Sequence, residues 1–177
     1  EGLLRDTSTT LKDVAAVAVT TGPGRFTGGR LGVLIARTLG QALNCPILPV
    51  NAMEALARMA FTRAEKVGVR GLDARKNEIL GASFVGEQWR EPARLMVFSE
   101  WVHSIPAGAQ VAGNALARYG QQLSVLRPDL ELLPPEFSRV RATAVGFLGL
   151  AAWEQRLSVA WSRLSPDYMR PADVQVH

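Results

Sequence analysis

The stretch that decides the fold is VAVTTGPGRFTGGRLGVLIARTLGQALN, which runs from Val17 to Asn44. A nearly continuous apolar run over residues 13–20 leads to a Gly-Pro-Gly corner and predicts a strand buried on both faces. The segment from Thr27 to Leu43 predicts a helix, since Pro46 follows it as a stop signal. A buried strand, a glycine-rich corner and a helix together form the unit of a parallel α/β sheet.

Outward from this stretch, the pattern predicts two α/β halves. A second strand over 46–50 leads to Asn51, which can cap a helix over 52–60. Beyond Glu65 the order changes to a β-hairpin over 66–84, strands near 94–98, 110–113 and 130–133, and helices over 115–122 and 143–157. We therefore predict a first half at 1–64 and a second half at 65–177, with the C-terminal tail packing back on the first.

Composition and charge are those of a soluble globular protein. Of the 177 residues, 47% are hydrophobic and 20% are charged, and no apolar run approaches the roughly 20 residues of a membrane-spanning helix. The net charge of +4 comes from scattered basic residues and aromatic residues make up 7%, whereas a nucleic-acid-binding surface concentrates both. The single cysteine, Cys45, cannot form an internal disulfide, which favours a reducing compartment and predicts a cytoplasmic protein.

The side chains of common catalytic centres are scarce in this sequence. The two histidines, His103 and His177, lie far apart, so the helical histidine pair of a zinc peptidase is missing. No Gly-x-Ser-x-Gly nucleophile elbow occurs, and Cys45 lies at the start of a buried strand, where cysteine behaves as a small hydrophobe. We therefore predict no catalytic residue and no metal ligand in this chain.

The glycine corner is a candidate anion-binding loop formed by Gly22, Pro23 and Gly24. It is not a dinucleotide fingerprint, because three residues separate Gly24 from Gly28 where that motif has two. It is not a P-loop either, because Gly28-Gly29-Arg30 replaces Gly-Lys-Ser/Thr. A strand, a glycine loop and a helix start still offer outward amides and a favourable helix dipole.

Small residues form a stripe along the predicted helix. Gly28, Gly32, Ala36 and Gly40 lie four residues apart and so share one face. A glycine inside a helix costs about 0.5–1 kcal/mol relative to alanine, and close approach of another backbone is the usual compensation. The spacing leaves open whether that neighbour is this protein's own sheet or a partner chain.

Several motifs carry a resemblance to a known family. The segment GPGRFTGGRLGVLIARTLGQALNCPILPVNAMEALA is similar to the signature of the bacterial TsaB (YeaZ) family, G-P-G-S-F-T-G-x-R-x-G followed by an Ala/Gly-rich helix. LDARKNEILGASF, AGNALARYG and LSPDYMR resemble the hairpin, the Gly-Asn corner and the closing Pro-x-Tyr-x-Arg of that family, in the same order. Arg25 departs from the pattern, because the family commonly has serine there.

The resemblance implies an α/β fold of the actin-like (ASKHA) type, built from two related halves. In the family a further segment of strands and a long helix precedes the part that corresponds to Glu1. We therefore expect the first half of this chain to lack those N-terminal strands and that helix; if the segment is gone, Val14 to Val19 would lose the strand neighbours that it supplies.

The resemblance also implies a function. It predicts a non-catalytic subunit that binds and activates the TsaD-type threonylcarbamoyltransferase, which makes threonylcarbamoyladenosine at position 37 of tRNAs that decode ANN codons. The implied partners are TsaD in a heterodimer, the ATPase TsaE in a larger assembly, and tRNA through the complex, with a homodimer when the chain is alone. No cofactor is expected in this chain; ATP and metal are expected in the partner subunits.

The resemblance implies a contact with TsaD through helices of the first half, among them the helix after the glycine corner, which favours the partner-chain interpretation of the small stripe. The predicted partner interface consists of Arg25, Phe26, Thr27, Gly28, Gly29, Arg30, Gly32, Val33, Ala36 and Gly40. The alternative function is an ATP-dependent small-molecule kinase of the same fold, which needs a phosphate loop in each half. For that loop the second half offers only Ala112-Gly113-Asn114.

Overall fold

The computed structural model describes residues 2–23, 26–60, 66–74, 76–86 and 88–168, and the side chains of all of these except Phe26 and Thr27. In chain order, the helices and strands are α1 (Gly2–Asp6), β1 (Val17–Gly22), α2 (Phe26–Leu43), β2 (Ile47–Asn51), α3 (Ala52–Ala60), β3 (Val67–Asp73), β4 (Glu78–Val85), β5 (Gln88–Val97), α4 (Phe98–Ser104), β6 (Gln110–Ala112), α5 (Leu116–Leu126), β7 (Glu131–Leu132) and α6 (Ala142–Glu154). None of the helices in the described part of the chain has the length and apolar character needed to span a membrane.

The chain divides into two compact units. One contains the residues up to Ala52 together with those from Val145 onward, and the other is Met53–Ala144. This division differs from the predicted halves, 1–64 and 65–177, at two places. Most of α3 packs into the core of the second unit, and most of α6 belongs to the first.

The first unit is a small parallel sheet with a helix on each face. Strands β1 and β2 run parallel, with Val17 opposite Ile47. Helix α2 packs on the face formed by the alternate residues Val17, Val19 and Ile47. Helix α6 packs on the other face, where a Cβ atom at Gly149 would lie 2.5 Å from the Cβ atom of Ala18.

The second unit is a five-stranded mixed sheet in the order β5-β4-β3-β6-β7. The hairpin of β3 and β4 is antiparallel as predicted, whereas β6 and β7 run parallel to β3. On one face the fully buried Trp101 packs so closely that a Cβ atom at Gly81 would lie 2.6 Å from its ring. On the other face Met53 and Ala57 of α3 pack with Leu80 and other apolar residues.

A buried arginine connects parts of the second unit. Arg70, in the middle of β3, is fully buried. Its Nη1 atom donates to the Phe137 carbonyl oxygen at 2.6 Å, and its Nη2 atom donates to the Leu56 carbonyl oxygen. Burial lowers the pKa of Arg70 to about 9. The side chain therefore fixes α3 and the segment after β7 to the central strand.

The observed bounds of helices agree with the predictions where local sequence signals are strong. The observed bounds of a strand differ from the prediction where pairing with a neighbouring strand sets its length. The predicted helix 27–43 is observed as α2, and the predicted helix 115–122 extends to Leu126. The predicted strand 94–98 is longer, because β5 pairs with β4 from Val97 back to Gln88 across irregularities in register. Such irregularities let a strand continue past Pro92, which has no N–H to donate.

Candidate protein-interaction surface

The inner face of α2 contains two small residues of the predicted stripe, Ala36 and Gly40. A Cβ atom at Gly40 would lie 2.6 Å from Ile47 Cδ1 and 3.0 Å from Trp161 Cβ. Ala36 and Val33 are only 2% and 3% exposed in the same core. Gly40 therefore permits the close approach of β2, through Ile47, and of the turn at Trp161, and both belong to this chain. Val33, Ala36 and Gly40 were predicted to lie in the partner interface. The structure instead buries them in the core of the first unit, because other parts of the same chain cover them.

The outer face of α2 carries large apolar side chains instead. Leu31, Leu34, Ile35 and Leu39 are exposed to 57%, 60%, 51% and 37%. We call these four residues the outer face. None of the four is among the predicted interface residues, although the sequence carries a signal for them: large aliphatic residues three or four positions apart, on the face opposite Val33, Ala36 and Gly40. Exposed clusters of this kind mark interaction sites in folded proteins.

The charged residues of helix α2 all have one sign. Helix α2 contains no acidic residue, and its two arginines, Arg30 and Arg37, both have exposed side chains. Arg30 donates through Nε to the hydroxyl of Tyr168 at 2.7 Å and lies 5.4 Å from the centre of that ring. A partner surface that fits this face is apolar at its centre and acidic at its rim.

The remaining residues of the predicted interface lie at the start of α2. Gly28 is exposed and Gly29 is half-buried, and a Cβ atom at either would meet no described atom within 4 Å. Gly32 is half-buried beside Val19. Arg25 lies outside the described residues, and only the helical backbone of Phe26 and Thr27 is described.

The glycine corner itself is partly covered by the protein. The Asp167 backbone N–H donates to the Thr21 carbonyl oxygen at 2.8 Å, and a Cβ atom at Gly22 would lie 2.6 Å from the Asp167 carbonyl oxygen. Gly22 also has a φ of +136°, which side-chain-bearing residues rarely adopt. Pro23 is buried, and Gly24 lies outside the described residues, so anion binding at this corner stays a prediction.

The second corner, at Gly113 and Asn114, uses its polar groups internally. The Ala115 N–H donates to the Gly71 carbonyl oxygen at 3.1 Å, and the Leu116 N–H donates to that of Gly113 at 3.2 Å. The Asn114 side-chain oxygen accepts from the Asp73 N–H at 2.9 Å. A phosphate loop would need such amides to point at a ligand. This corner therefore gives the kinase alternative no support.

Groups that could form a metal site are not brought together in the described part of the chain. No cluster of three or more histidine, cysteine, aspartate or glutamate side chains with ligand geometry occurs there. The Nδ1 atom of His103 lies 2.6 Å from the Ser99 carbonyl oxygen. Cys45 is buried and forms no disulfide. His177 lies outside the described residues.

Comparison with known families gives one match over most of the chain. The model of the family described as "TsaD: tRNA N6-adenosine threonylcarbamoyltransferase" matches residues 1–152.

Individual relatives carry two different names. The tRNA threonylcarbamoyladenosine biosynthesis protein TsaB of Haemophilus influenzae is 37% identical over 101 residues, which are 50% of this chain and 42% of that protein. TsaB of Escherichia coli is 32% identical over 48% of this chain and 37% of its own length. The tRNA N6-adenosine threonylcarbamoyltransferase of Rickettsia typhi is 39% identical over 65% of this chain and 33% of its own length. The chain thus spans less than half the length of these curated relatives.

A solved structure matches the fold. YeaZ from Pseudomonas aeruginosa has a TM-score of 0.75 and 23% sequence identity, over 95% of this chain and 79% of that one. A second solved structure, the crystal structure of an uncharacterized protein with similarity to peptidase YEAZ from Pseudomonas aeruginosa, has the same score and covers 96% of this chain and 80% of that one. At this identity the match shows the fold alone, which is the actin-like α/β fold that the sequence motifs implied.

Proposed function

The chain belongs to the family described as TsaD, tRNA N6-adenosine threonylcarbamoyltransferase, and from that premise we propose that it serves threonylcarbamoyladenosine biosynthesis as a subunit without a catalytic site of its own. The relatives named TsaB and the structures named YeaZ confirm the resemblance that the sequence motifs carried. In the proposed complex, the TsaD-type partner performs the transfer to the tRNA, and this chain binds and activates that partner.

The outer face of α2 is the observation that carries the proposal. Four large aliphatic side chains lie on one face of a helix whose opposite face is already packed in the core. Fully burying a leucine or isoleucine contributes about 1.5–3 kcal/mol, so covering these half-exposed side chains is a substantial driving force for association. Arg30 and Arg37 add a preference for a partner with carboxylates around an apolar centre.

The remaining parts of the assembly follow from the same proposal. The TsaD-type partner and the ATPase TsaE supply the ATP and metal sites, and tRNA that decodes ANN codons, modified at position 37, is bound through the complex. In the absence of TsaD, the outer faces of two copies associate as a homodimer. The working compartment is the cytoplasm, where tRNA is modified. Gly28, Gly29, Arg30 and Gly32 stay in the proposed interface together with the outer face.

The test is a titration with the TsaD-type protein of the same organism. Wild-type chain is expected to bind it, and Leu34→Asp is expected to weaken binding by about 30-fold or more, as for a central interface residue. Val125→Asp is the matched control, because Val125 is an exposed aliphatic residue on a different helix, α5. Equal affinity of wild type and Leu34→Asp would contradict the proposed interface, and absence of binding by the wild type would contradict the proposed function.

A further inference from the structure

The closing motif LSPDYMR resembles the family pattern, yet the proposed function gives it no role. Its described part lies across the strand–helix corner of the first unit. Leu164 is 3% exposed in the core with Val33, Ala36 and Ile47. The Asp167 backbone is held by Thr21 and packs against Gly22. We call residues 164–168 the strap.

The strap ends in a contact with the interaction helix. Tyr168 accepts a hydrogen bond from Arg30 Nε at 2.7 Å, and its ring lies under the same guanidinium at 5.4 Å. The two residues are 138 positions apart in the chain. A cation–π contact and a hydrogen bond together restrict the rotamers of a long side chain that otherwise samples many of them.

The place of this contact relates it to the outer face. Arg30 directly precedes Leu31, the first leucine of that face, and lies one helical turn before Leu34. Tyrosine and arginine are the residue types, with tryptophan, that contribute most at protein interfaces. A side chain that is already fixed loses less conformational entropy when a partner binds it.

We infer that Tyr168 is a positioning residue for partner binding: it holds Arg30 at the N-terminal end of the outer face, so that the partner meets a fixed arginine and an aromatic ring beside the leucines. This inference rests on the proposed function. The partner is the TsaD-type protein, through an apolar surface that carries carboxylates, because α2 itself offers only positive charge.

If Tyr168 had a purely structural role, its removal would lower the melting temperature of the protein. The contacts of the strap give the opposite expectation. The strap is already anchored by the buried side chain of Leu164 and by the main chain of Asp167. Tyr168 itself is 45% exposed. Removing it therefore leaves the anchors in place and is expected to change the melting temperature little, since substitutions at exposed sites usually have small effects.

The experiment measures affinity for the TsaD-type protein and thermal unfolding side by side. Tyr168→Phe removes the hydrogen bond and keeps the ring, and is expected to weaken binding by about threefold. Tyr168→Ala removes both and is expected to weaken binding by about tenfold. Arg30→Ala and Tyr168→Ala together are expected to have less than the summed effect, because the two side chains act as a pair. Trp153→Ala is the control, since Trp153 is a similarly exposed aromatic residue on α6.

The outcomes separate this inference from the proposed function. If the wild type fails to bind the TsaD-type protein, the proposed function is wrong. If the wild type binds and Leu34→Asp does not, but Tyr168→Ala and Arg30→Ala bind like the wild type, only the role of Tyr168 is overturned. The role of Tyr168 is also overturned if Trp153→Ala loses as much affinity as Tyr168→Ala. It is overturned as well if Tyr168→Ala loses affinity because it is unfolded at the assay temperature.

Discussion

Gly40 lies against Ile47 so closely that a Cβ atom at Gly40 would stand 2.6 Å from the Ile47 Cδ1 atom. This relationship determines how α2 is oriented. The side of the helix that carries Val33, Ala36 and Gly40 faces its own strand, and the side that carries the outer face is exposed. The small residues Ala36 and Gly40 thus serve folding, and the outer face is the surface on which the proposed complex depends.

Substitution of Gly40 is expected to destabilise the fold. In Gly40→Ala the new methyl group requires Ile47 and Trp161 to move, and overpacking of this kind costs about 1–3 kcal/mol. The helix-propensity gain of alanine, about 1 kcal/mol at most, offsets part of that. Urea unfolding of wild type and variant measures the difference. The matched control is Gly28→Ala, where the new methyl group meets no described atom within 4 Å and no destabilisation is expected. Equal stability of all three proteins would show that the contact with Ile47 is not tight.

The outer face is expected to control self-association. Ile35→Arg introduces charge into a half-exposed apolar cluster while leaving the packed face of α2 intact. We expect the variant to be monomeric by light scattering at concentrations where the wild type is dimeric, with a change in unfolding free energy within about 0.5 kcal/mol. Val125→Arg should leave the oligomeric state as it is in the wild type. A dimer that persists in Ile35→Arg would place self-association on another surface.

Arg70 is expected to be essential for the stability of the second unit. Arg70→Met keeps much of the side-chain volume but leaves the carbonyl oxygens of Leu56 and Phe137 without this donor. An unsatisfied buried polar group costs about 1–3 kcal/mol, so we expect a loss of roughly 2–5 kcal/mol in the unfolding free energy. Denaturant titration followed by circular dichroism measures it. Arg118→Met, which alters an exposed arginine on α5, is the control. An unchanged midpoint in Arg70→Met would mean that neither carbonyl depends on the arginine.

Asp129 is expected to contribute to stability in a pH-dependent way. Arg127 donates two hydrogen bonds of 2.8 Å to the Asp129 carboxylate, and the Gly108 N–H donates a third at 3.1 Å. These contacts hold the pKa of Asp129 well below its usual range, and the hydrogen bonds from Arg127 contribute most to the shift. Because the folded state binds its proton less readily than the unfolded state, the contribution is complete above about pH 4 and is lost as the pH falls further.

The test compares the melting temperatures of wild type and Asp129→Asn between pH 7 and pH 2. We expect the wild type to be the more stable protein at pH 7 and the difference to shrink toward pH 2. The control is Glu136→Gln, which alters an exposed carboxylate in the same unit. A constant difference between wild type and Asp129→Asn at every pH would mean that the carboxylate is not responsible.

Nucleotide binding separates the proposed subunit from the kinase alternative. The first-turn amides of α5 donate within the chain, so we expect no sub-millimolar binding of ATP with magnesium by the chain alone. Isothermal titration calorimetry checks this, with the TsaD-type protein as the positive control. Tight binding by the isolated chain would favour a kinase and would point to the glycine corner at Gly22 as the site.

Local signals in the sequence predicted much of the fold. The strand, the glycine corner and α2 were predictable because apolar periodicity and proline stop signals act over a few residues. The length of β5 was not predictable, because its pairing with β4 continues past Pro92 through irregularities in register. The placement of α6 in the first unit was not predictable either, since it depends on the packing of Gly149 against Ala18, which lies far away in the sequence.

The candidate site likewise has features that the sequence predicts and features that only tertiary packing determines. The order of strand, corner and helix, the family motifs and the existence of two unlike sides on α2 can all be derived from residues close together in the chain. Which of those sides faces inward depended on Ile47 and Trp161, and the fixing of Arg30 depended on Tyr168, 138 residues away. Helical periodicity specifies that residues share a face but carries no information about what covers it. Only the tertiary packing supplies that neighbour.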